Sequence, residues 1–248
     1  MRDFHLPGRS PVFATQGMVA TSHPLAATVA LDTLKRGGNA VDAAIAGAIL
    51  LGLCEPQMTG LGGDMFALVA ENDDITGLNA SGRAPAGLSG AALRDAGHDV
   101  LPVYSSHAVT IPGAVDGFCR LADERGKLGI ADIIGPLLHY FEHGVPVAPR
   151  VADDWAKATH LIGDAREHYL VRGRSPEVGT IFAAPGQAKV LQAIAAQGRA
   201  GFYEGDVAHD MVASLNALGG SHTLDDFAAT ACDWVEPISG TYRGVELV

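Results

Sequence analysis

Hydrophobic positions recur at helical spacing along most of the chain and alternate only in short stretches. Leu25, Val29 and Leu34 form one apolar stripe, which predicts a helix capped by Ser22 with Pro24 in its first turn. Lys35 and Arg36 suit the negative end of its dipole, and Gly37 ends it. Asn39 caps a second helix with Asp42 in its first turn. Its body, residues 40–53, is apolar on every face, which predicts burial on all sides, and Pro56 stops it. Residues 18–21 read as a short strand, and residues 65–70 and 75–80 as a hairpin across Asn72, Asp73 and Asp74. Ser89 caps a short helix that runs to Ala96. Helical spacing returns over 115–127, 131–143, 149–161, 187–197, 205–218 and 223–229. Residues 1–16 read as an irregular arm and the Gly- and Pro-rich residues 163–186 as loop. Residues 234–242 read as a strand, and 242–248 as a further strand pattern with no turn or polar tail after it. The pattern is that of a helix-rich α+β protein, with no internal repeat.

Composition narrows the function classes. The 248 residues allow one large domain, and 48% hydrophobic residues allow a sizeable core. The net charge of -11 and the lack of any basic patch argue against nucleic acid and anionic membranes as partners. Cys54, Cys119 and Cys232 form no CxxC pair, which disfavours both a disulfide framework and a cysteine zinc site and predicts buried thiols. The first ten residues lack the apolar core of a signal peptide, and the longest apolar run, 43–53, is too short to cross a bilayer. A cytoplasmic location is therefore expected.

Few motifs carry chemistry by themselves. The turn Gly60-Leu61-Gly62-Gly63-Asp64 follows a helix and a proline, and Met65 stands where a dinucleotide fingerprint needs glycine. Its glycines instead suit left-handed angles or a close backbone approach. His139 and His143 share one helix face, but Tyr140 replaces the glutamate of a zinc-protease motif and no third ligand is evident, so no metal is expected. The acidic pairs Asp73-Asp74, Asp153-Asp154 and Asp225-Asp226 fall at loop tips or helix starts, where they serve the helix dipole. No Gly-x-Ser-x-Gly elbow is present. Arg83 lies just past a strand in a Gly-Arg-Ala-Pro loop, where it could hold a substrate carboxylate with two parallel hydrogen bonds or form an ordinary surface ion pair.

Three segments in this order resemble the start of the gamma-glutamyltranspeptidase family of N-terminal-nucleophile (Ntn) hydrolases. They are Gly17-Met-Val-Ala-Thr-Ser-His-Pro-Leu-Ala, Lys35-Arg-Gly-Gly-Asn-Ala-Val-Asp-Ala-Ala and Glu55-Pro-Gln-Met-Thr-Gly-Leu-Gly-Gly-Asp64. Further matches are Pro112-Gly-Ala-Val-Asp-Gly117, Gly201-Phe-Tyr-Glu-Gly205, Gly219-Gly220 with Thr223-Leu-Asp-Asp-Phe227, and Pro237-Ile-Ser-Gly-Thr-Tyr-Arg-Gly244. The resemblance covers the chain from about Gly17 onward; its motifs are specific as a set and weak singly. The family's Arg-Glu-x-Ala-Pro motif is altered: aligned on Ala84-Pro85, Ser81 stands at the Arg position and Gly82 at the Glu position, with Arg83 two residues along. Relatives with this form resemble transpeptidase-like amidohydrolases and acylases.

The resemblance implies an αββα four-layer Ntn sandwich, of which residues 1–248 form a single helix-rich domain in the N-terminal part of the large subunit. It implies self-cleavage and covalent acyl transfer. A Thr that begins the second half of the precursor attacks an amide carbonyl, with its own amino group as base and backbone amides as oxyanion donors. No catalytic residue then lies in this chain, which would supply Arg83 and Ser81 to substrate binding, without metal or cofactor. The expected partners are the chain's own C-terminal small subunit and a small-molecule amide. The first expectation for the substrate is a gamma-glutamyl amide such as glutathione. Another small carboxylated amide, or a non-catalytic protein that binds a small acid, are the alternatives.

Overall fold

The computed structural model describes residues 11–157, 161 and 165–248. The first ten residues of the expected arm, and residues 158–160 and 162–164, lie outside the described residues. The elements in order are α1 (Pro24–Lys35), α2 (Ala40–Cys54), β1 (Met65–Glu71), β2 (Asp74–Ala80), α3 (Gly90–Asp95), α4 (Ala114–Arg125), α5 (Ile130–Ile134), α6 (Leu138–His143), β3 (Val145–Pro146), α7 (Pro149–Trp155), α8 (Ala165–Tyr169), β4 (Ile181–Phe182), α9 (Pro185–Gln197), α10 (Ala200–Tyr203), α11 (Asp206–Ala217), α12 (Leu224–Ala228), β5 (Asp233–Val235), β6 (Gly240–Tyr242) and β7 (Val245–Leu247). The chain is α+β and helix-rich.

The paired helices α1 and α2 form through local chemistry, with one correction. Pro24 occupies the first helical position, so the cap falls on His23, whose Nδ1 accepts from Leu25 N at 3.2 Å. The expected cap, Ser22, instead donates to Glu55 at 2.8 Å. Burial, opposed by the Glu55 charge, lowers the His23 pKa, which suits an imidazole that accepts. Asn39 and Asp42 form a full capping box on α2. Asp42 is wholly buried and also accepts from Lys127 N at 3.0 Å, so the same carboxylate fastens the loop after α4. Helix α2 is not enclosed on every side among the described residues. Ala40 and Ala44 are exposed, because small side chains on that stripe leave an open cleft against residues 16–21.

One apolar core joins α2, α4, α5, α6, α9 and α10, with Trp155, Phe141, Phe227 and Tyr203 among its fully buried side chains. The antiparallel sheet has the order β1-β2-β5, with Met65 opposite Ala80 and Leu78 opposite Trp234. Asn72, at φ 57°, turns the chain between β1 and β2. Gly117 of α4 packs so closely under this sheet that a Cβ there would stand 2.3 Å from Met65 Cε.

Other expectations need revision. Residues 18–21 make no strand pairing. The helix expected over 131–143 breaks into α5, a 3-10 turn at Gly135–Leu137 and α6, because Pro136 lacks a backbone donor. Of the helix expected over 149–161, Pro149–Trp155 is helical and residues 156–157 form a turn, while residues 158–160 lie outside the described residues. The loop expected over 163–186 contains α8 and β4, the latter paired with β3 through Val145 and Phe182. The strand expected over 234–242 splits at Pro237, which cannot donate to a ladder, into β5 and β6. The further strand expected over 242–248 is interrupted: Arg243 and Gly244, at φ 50° and 81°, close a β6–β7 hairpin, and β7 is Val245–Leu247.

Strand β1 is seven residues long and, among the described residues, pairs only with β2, which leaves its outer edge open there. Phe66 and Leu68 stand exposed on the sheet face beside it, at 68% and 59%. An open apolar edge strand pairs with other chains. A preparation of residues 1–248 alone is expected to elute larger than one chain, and Leu68→Lys should shift it toward the single-chain size. Size-exclusion chromatography with light scattering checks this; a monodisperse monomer of the unmodified fragment would contradict it.

Candidate functional site

Three chain segments meet at the end of β2. The first is the turn at residues 60–64, the second is Ser81-Gly82-Arg83, and the third is Ile111-Pro112-Gly113 leading into α4. Gly63 O accepts from Gly113 N and Ala114 N at 3.1 and 3.0 Å, and Ile111 N donates to Arg83 O at 2.9 Å. The approach leaves no space for side chains. A Cβ on Gly82 would lie 1.6 Å from Ile111 O, and one on Gly113 would lie 2.2 Å from Ala80 O. These glycines serve contact between backbones. The turn's own glycines depart from expectation: Gly60, Gly62 and Gly63 have no positive φ, and a Cβ on Gly60 or Gly62 would meet nothing within 4 Å.

Asp64 sets the orientation of the second segment. Its Oδ1 accepts from Gly82 N at 2.7 Å, and its Oδ2 lies 3.4 Å from Ser81 Oγ. Asn79 Oδ1 adds an acceptor for Ser81 N at 3.0 Å. Ser81 and Arg83 are both exposed. The Arg83 guanidinium, with its side chain 86% accessible, has a loose ion pair with Asp233 at 3.8 Å. Such an exposed pair contributes at most about 1 kcal/mol, so a carboxylate ligand can displace it. The structure therefore brings Ser81 and Arg83 onto one open platform with Asp64 and Asp233. Neither acid stands out as a site residue in the sequence. Asp64 carried a faint signal, a charged residue directly after a glycine turn; Asp233 carried none, because it arrives from far along the chain.

The platform rests on a buried polar network. Arg199 Nε meets Asp116 Oδ1 at 2.6 Å, and Asp116 Oδ2 accepts from Cys232 N at 2.7 Å. Arg199 also donates to Ala228 O at 3.0 Å and to Thr230 O. Its guanidinium lies 4.6 Å from the Tyr203 ring centroid. Tyr203 donates to Pro112 O at 2.7 Å and accepts from Asp116 N at 3.1 Å. Burial pushes the Tyr203 pKa above its ordinary value, so the phenol keeps the proton it donates. On the far side of the loop, Asp226 accepts from Ala86 N at 3.0 Å and completes a capping box with Thr223. Its pKa is lowered: burial pushes upward, and the hydrogen bonds from Ala86 and Thr223 with the nearby His222 outweigh it.

The remaining candidates carry no site. The His139 and His143 rings stack at 4.4 Å, and His143 Nδ1 faces His139 O at 3.1 Å. Among the described residues no group of three His, Cys, Asp or Glu side chains is arranged to hold a metal. The three cysteines are buried and unpaired, with burial pushing Cys54 and Cys119 up to about 12. No helix among the described residues is long and apolar enough to cross a membrane.

The sequence model of the gamma-glutamyltranspeptidase family matches residues 26–248. The glutathione hydrolase-like YwrD proenzyme of Bacillus subtilis is 35% identical over 239 residues, covering 94% of this chain and 45% of that protein. Cephalosporin acylase from Bacillus halodurans superposes with a TM-score of 0.92 at 40% identity, over 98% of this chain and 48% of that one. The Helicobacter pylori gamma-glutamyltranspeptidase gives 0.88 at 27% identity, over 96% of this chain and 70% of that one. The chain spans less than half the length of the curated relatives it matches.

Two outcomes follow from the geometry. Asp64→Ala removes the acceptor of Gly82 N; hydrogen exchange at that amide should accelerate, with about 1–2 kcal/mol lost from global stability. Unchanged exchange would mean that Asp64 does not hold the loop. A carboxylate with a lowered folded pKa stabilises above its unfolded pKa of about 4 and loses that contribution as pH falls through the folded value. Asp226→Asn should therefore cost about 1 kcal/mol at neutral pH, with the gap to the native protein narrowing under acid. Thermal melts across the acid range measure it.

Proposed function

We propose a function from one premise: the chain belongs to the gamma-glutamyltranspeptidase family. Residues 1–248 are then a single domain, the N-terminal part of the large subunit of an Ntn hydrolase. The protein cleaves or transfers the acyl group of a small carboxylated amide, with gamma-glutamyl amides such as glutathione as the first substrate class. The observation that carries this reading is the Ser81-Gly82-Arg83 platform. It is held by Asp64, and among the described residues its guanidinium is engaged only by a distant, exposed carboxylate.

The chemistry divides between two parts of the precursor. A Thr at the start of the second part attacks the amide carbonyl through Oγ, and its α-amino group takes the hydroxyl proton. Backbone N–H groups stabilise the tetrahedral oxyanion. The C–N bond breaks, the leaving amine takes the proton, and an acyl ester remains on Thr. Water or an amine then attacks the ester and regenerates the hydroxyl. In this chain, Arg83 holds the substrate carboxylate with two parallel hydrogen bonds, and Ser81 Oγ offers a further donor beside it. Neither a metal nor a cofactor enters this scheme. The partner is the chain's own C-terminal small subunit, for which the open edge of β1 is a suitable seat.

A second reading of the substrate rests on Gly82. A side chain there would drive into Ile111 O, so the glutamate that the family motif places at this position has no room on this backbone. Such a loop favours an acyl group other than gamma-glutamyl, as in an amidohydrolase or acylase. Hydrolysis of a gamma-glutamyl anilide against other carboxylated anilides separates the two.

Intact mass of the purified native gene product under denaturing conditions tests the shared reading. Two chains are expected, the second starting with Thr. In the processed enzyme, Arg83→Ala should raise KM for a carboxylated amide about 10- to 100-fold. It should leave an uncharged amide unaffected. A single unprocessed chain without amidase activity would instead support a non-catalytic protein that binds a small acid.

A further inference from the structure

The end of the sheet nearest the platform carries a second charge that the proposed chemistry leaves unused. Asp233 lies in β5 opposite Asn79 of β2, and residues opposite each other in an antiparallel ladder share one face. Its backbone is fixed twice, by that ladder and by the Asp116 carboxylate, which accepts from Cys232 N at 2.7 Å just before it. Its own carboxylate is not fixed. The side chain is 65% accessible, and the 3.8 Å to the Arg83 guanidinium is longer than a hydrogen bond. Among the described residues this carboxylate makes no other polar contact. Asp64, the other acid of the platform, has both oxygens turned to the loop, Oδ1 on Gly82 N and Oδ2 toward Ser81 Oγ. The platform thus presents one unspent cation and one unspent anion side by side.

We infer that Asp233 is a specificity-determining residue: it makes the platform select acyl groups that carry an ammonium beside their carboxylate over plain carboxylates. This rests on the reading in which Arg83 holds the substrate carboxylate. A plain carboxylate that takes Arg83 displaces Asp233 and is left against it, like charge beside like charge, with Asp233 unpaired. An α-amino acid head group carries carboxylate and ammonium on one carbon. Its carboxylate takes Arg83 and its ammonium takes Asp233, so each platform charge exchanges one partner for another. The ammonium also brings three donors to a carboxylate that accepts none from the protein. Both side chains are solvated, so the discrimination is on the order of 5-fold and fades with added salt.

Ligand-observed NMR titration of the purified native gene product with L-norvaline and with pentanoate tests the inference. The two ligands differ only by the ammonium, and neither contains an amide, so processing and hydrolysis do not enter. At low salt, norvaline should bind about 5-fold tighter than pentanoate. Asp233→Asn should move the two in opposite directions: pentanoate tightens because its competitor is gone, norvaline weakens, and the ratio falls to within about twofold of unity. A merely structural loss would shift both the same way. The variant changes an exposed side chain, so its melting temperature should stay near the native value. Arg83→Ala should weaken both ligands. Equal native affinities, or shifts of the same sign in the Asp233 variant, would overturn the inference, while loss of binding in the Arg83 variant would leave the carboxylate reading of the platform standing. Absence of saturable norvaline binding, or native affinity after Arg83→Ala, would overturn both.

Discussion

The Asp116 carboxylate ties together segments that are far apart in the chain. One oxygen meets Arg199 at the start of α10 and the other accepts from Cys232 N just before β5. The cost of burying this charge is offset only because both oxygens are engaged and Arg199 is itself bound to two carbonyls. Removing Arg199 should cost about 3–5 kcal/mol, since the Asp116 charge is left buried without its cation. Tyr203 extends the network to Pro112 O. The turn into α4, the end of α12 and the start of β5 are therefore positioned by one cluster. Asp233, which meets Arg83, is the residue after Cys232.

The open platform depends on that cluster for support and on missing side chains for its shape. Gly82 and Gly113 let the β2 end, the Ser81-Gly82-Arg83 loop and the α4 entry touch backbone to backbone. The platform is thus braced beneath and exposed at its tip. Backbone hydrogen bonds and Asp64 hold the Ser81 and Gly82 atoms, while the Arg83 side chain projects into solvent with a weak partner. That combination suits capture of a carboxylate, because the guanidinium gives up little when it exchanges Asp233 for a ligand.

Much of the local structure was legible in the residues. The Asn39 and Asp42 box, the Ser89 cap, the β1–β2 hairpin and the helices α4, α9 and α11 follow from periodicity and capping chemistry within a few residues of one another. The misreadings have local causes that competed. Pro24 moved a cap from Ser22 to His23, Pro136 broke a periodic helix, and Pro237 split a strand. The pair β3 and β4 had no signal of its own, because each strand is two residues long and forms only against the other. Among the candidate residues, Arg83 was singled out from its loop motif and Ser81 only through the family resemblance, whereas Asp233, Arg199 and Tyr203 were not, since their contacts arise across chain separations of about a hundred residues.

The sequence by itself determined the helix-rich α+β character, the Asn39, Ser89 and Thr223 starts of their helices, the β1–β2 hairpin and the family to which the chain belongs. These reside in spacing and residue type within short windows, where backbone sterics and capping hydrogen bonds act. Tertiary structure alone decided that Asp64 grips the Ser81 loop and that the buried Asp116 carboxylate meets Arg199 and Cys232 N. Those arrangements depend on which distant surfaces come into contact. A hydrogen bond or an unpaired oxygen has meaning only once packing has removed water from around it.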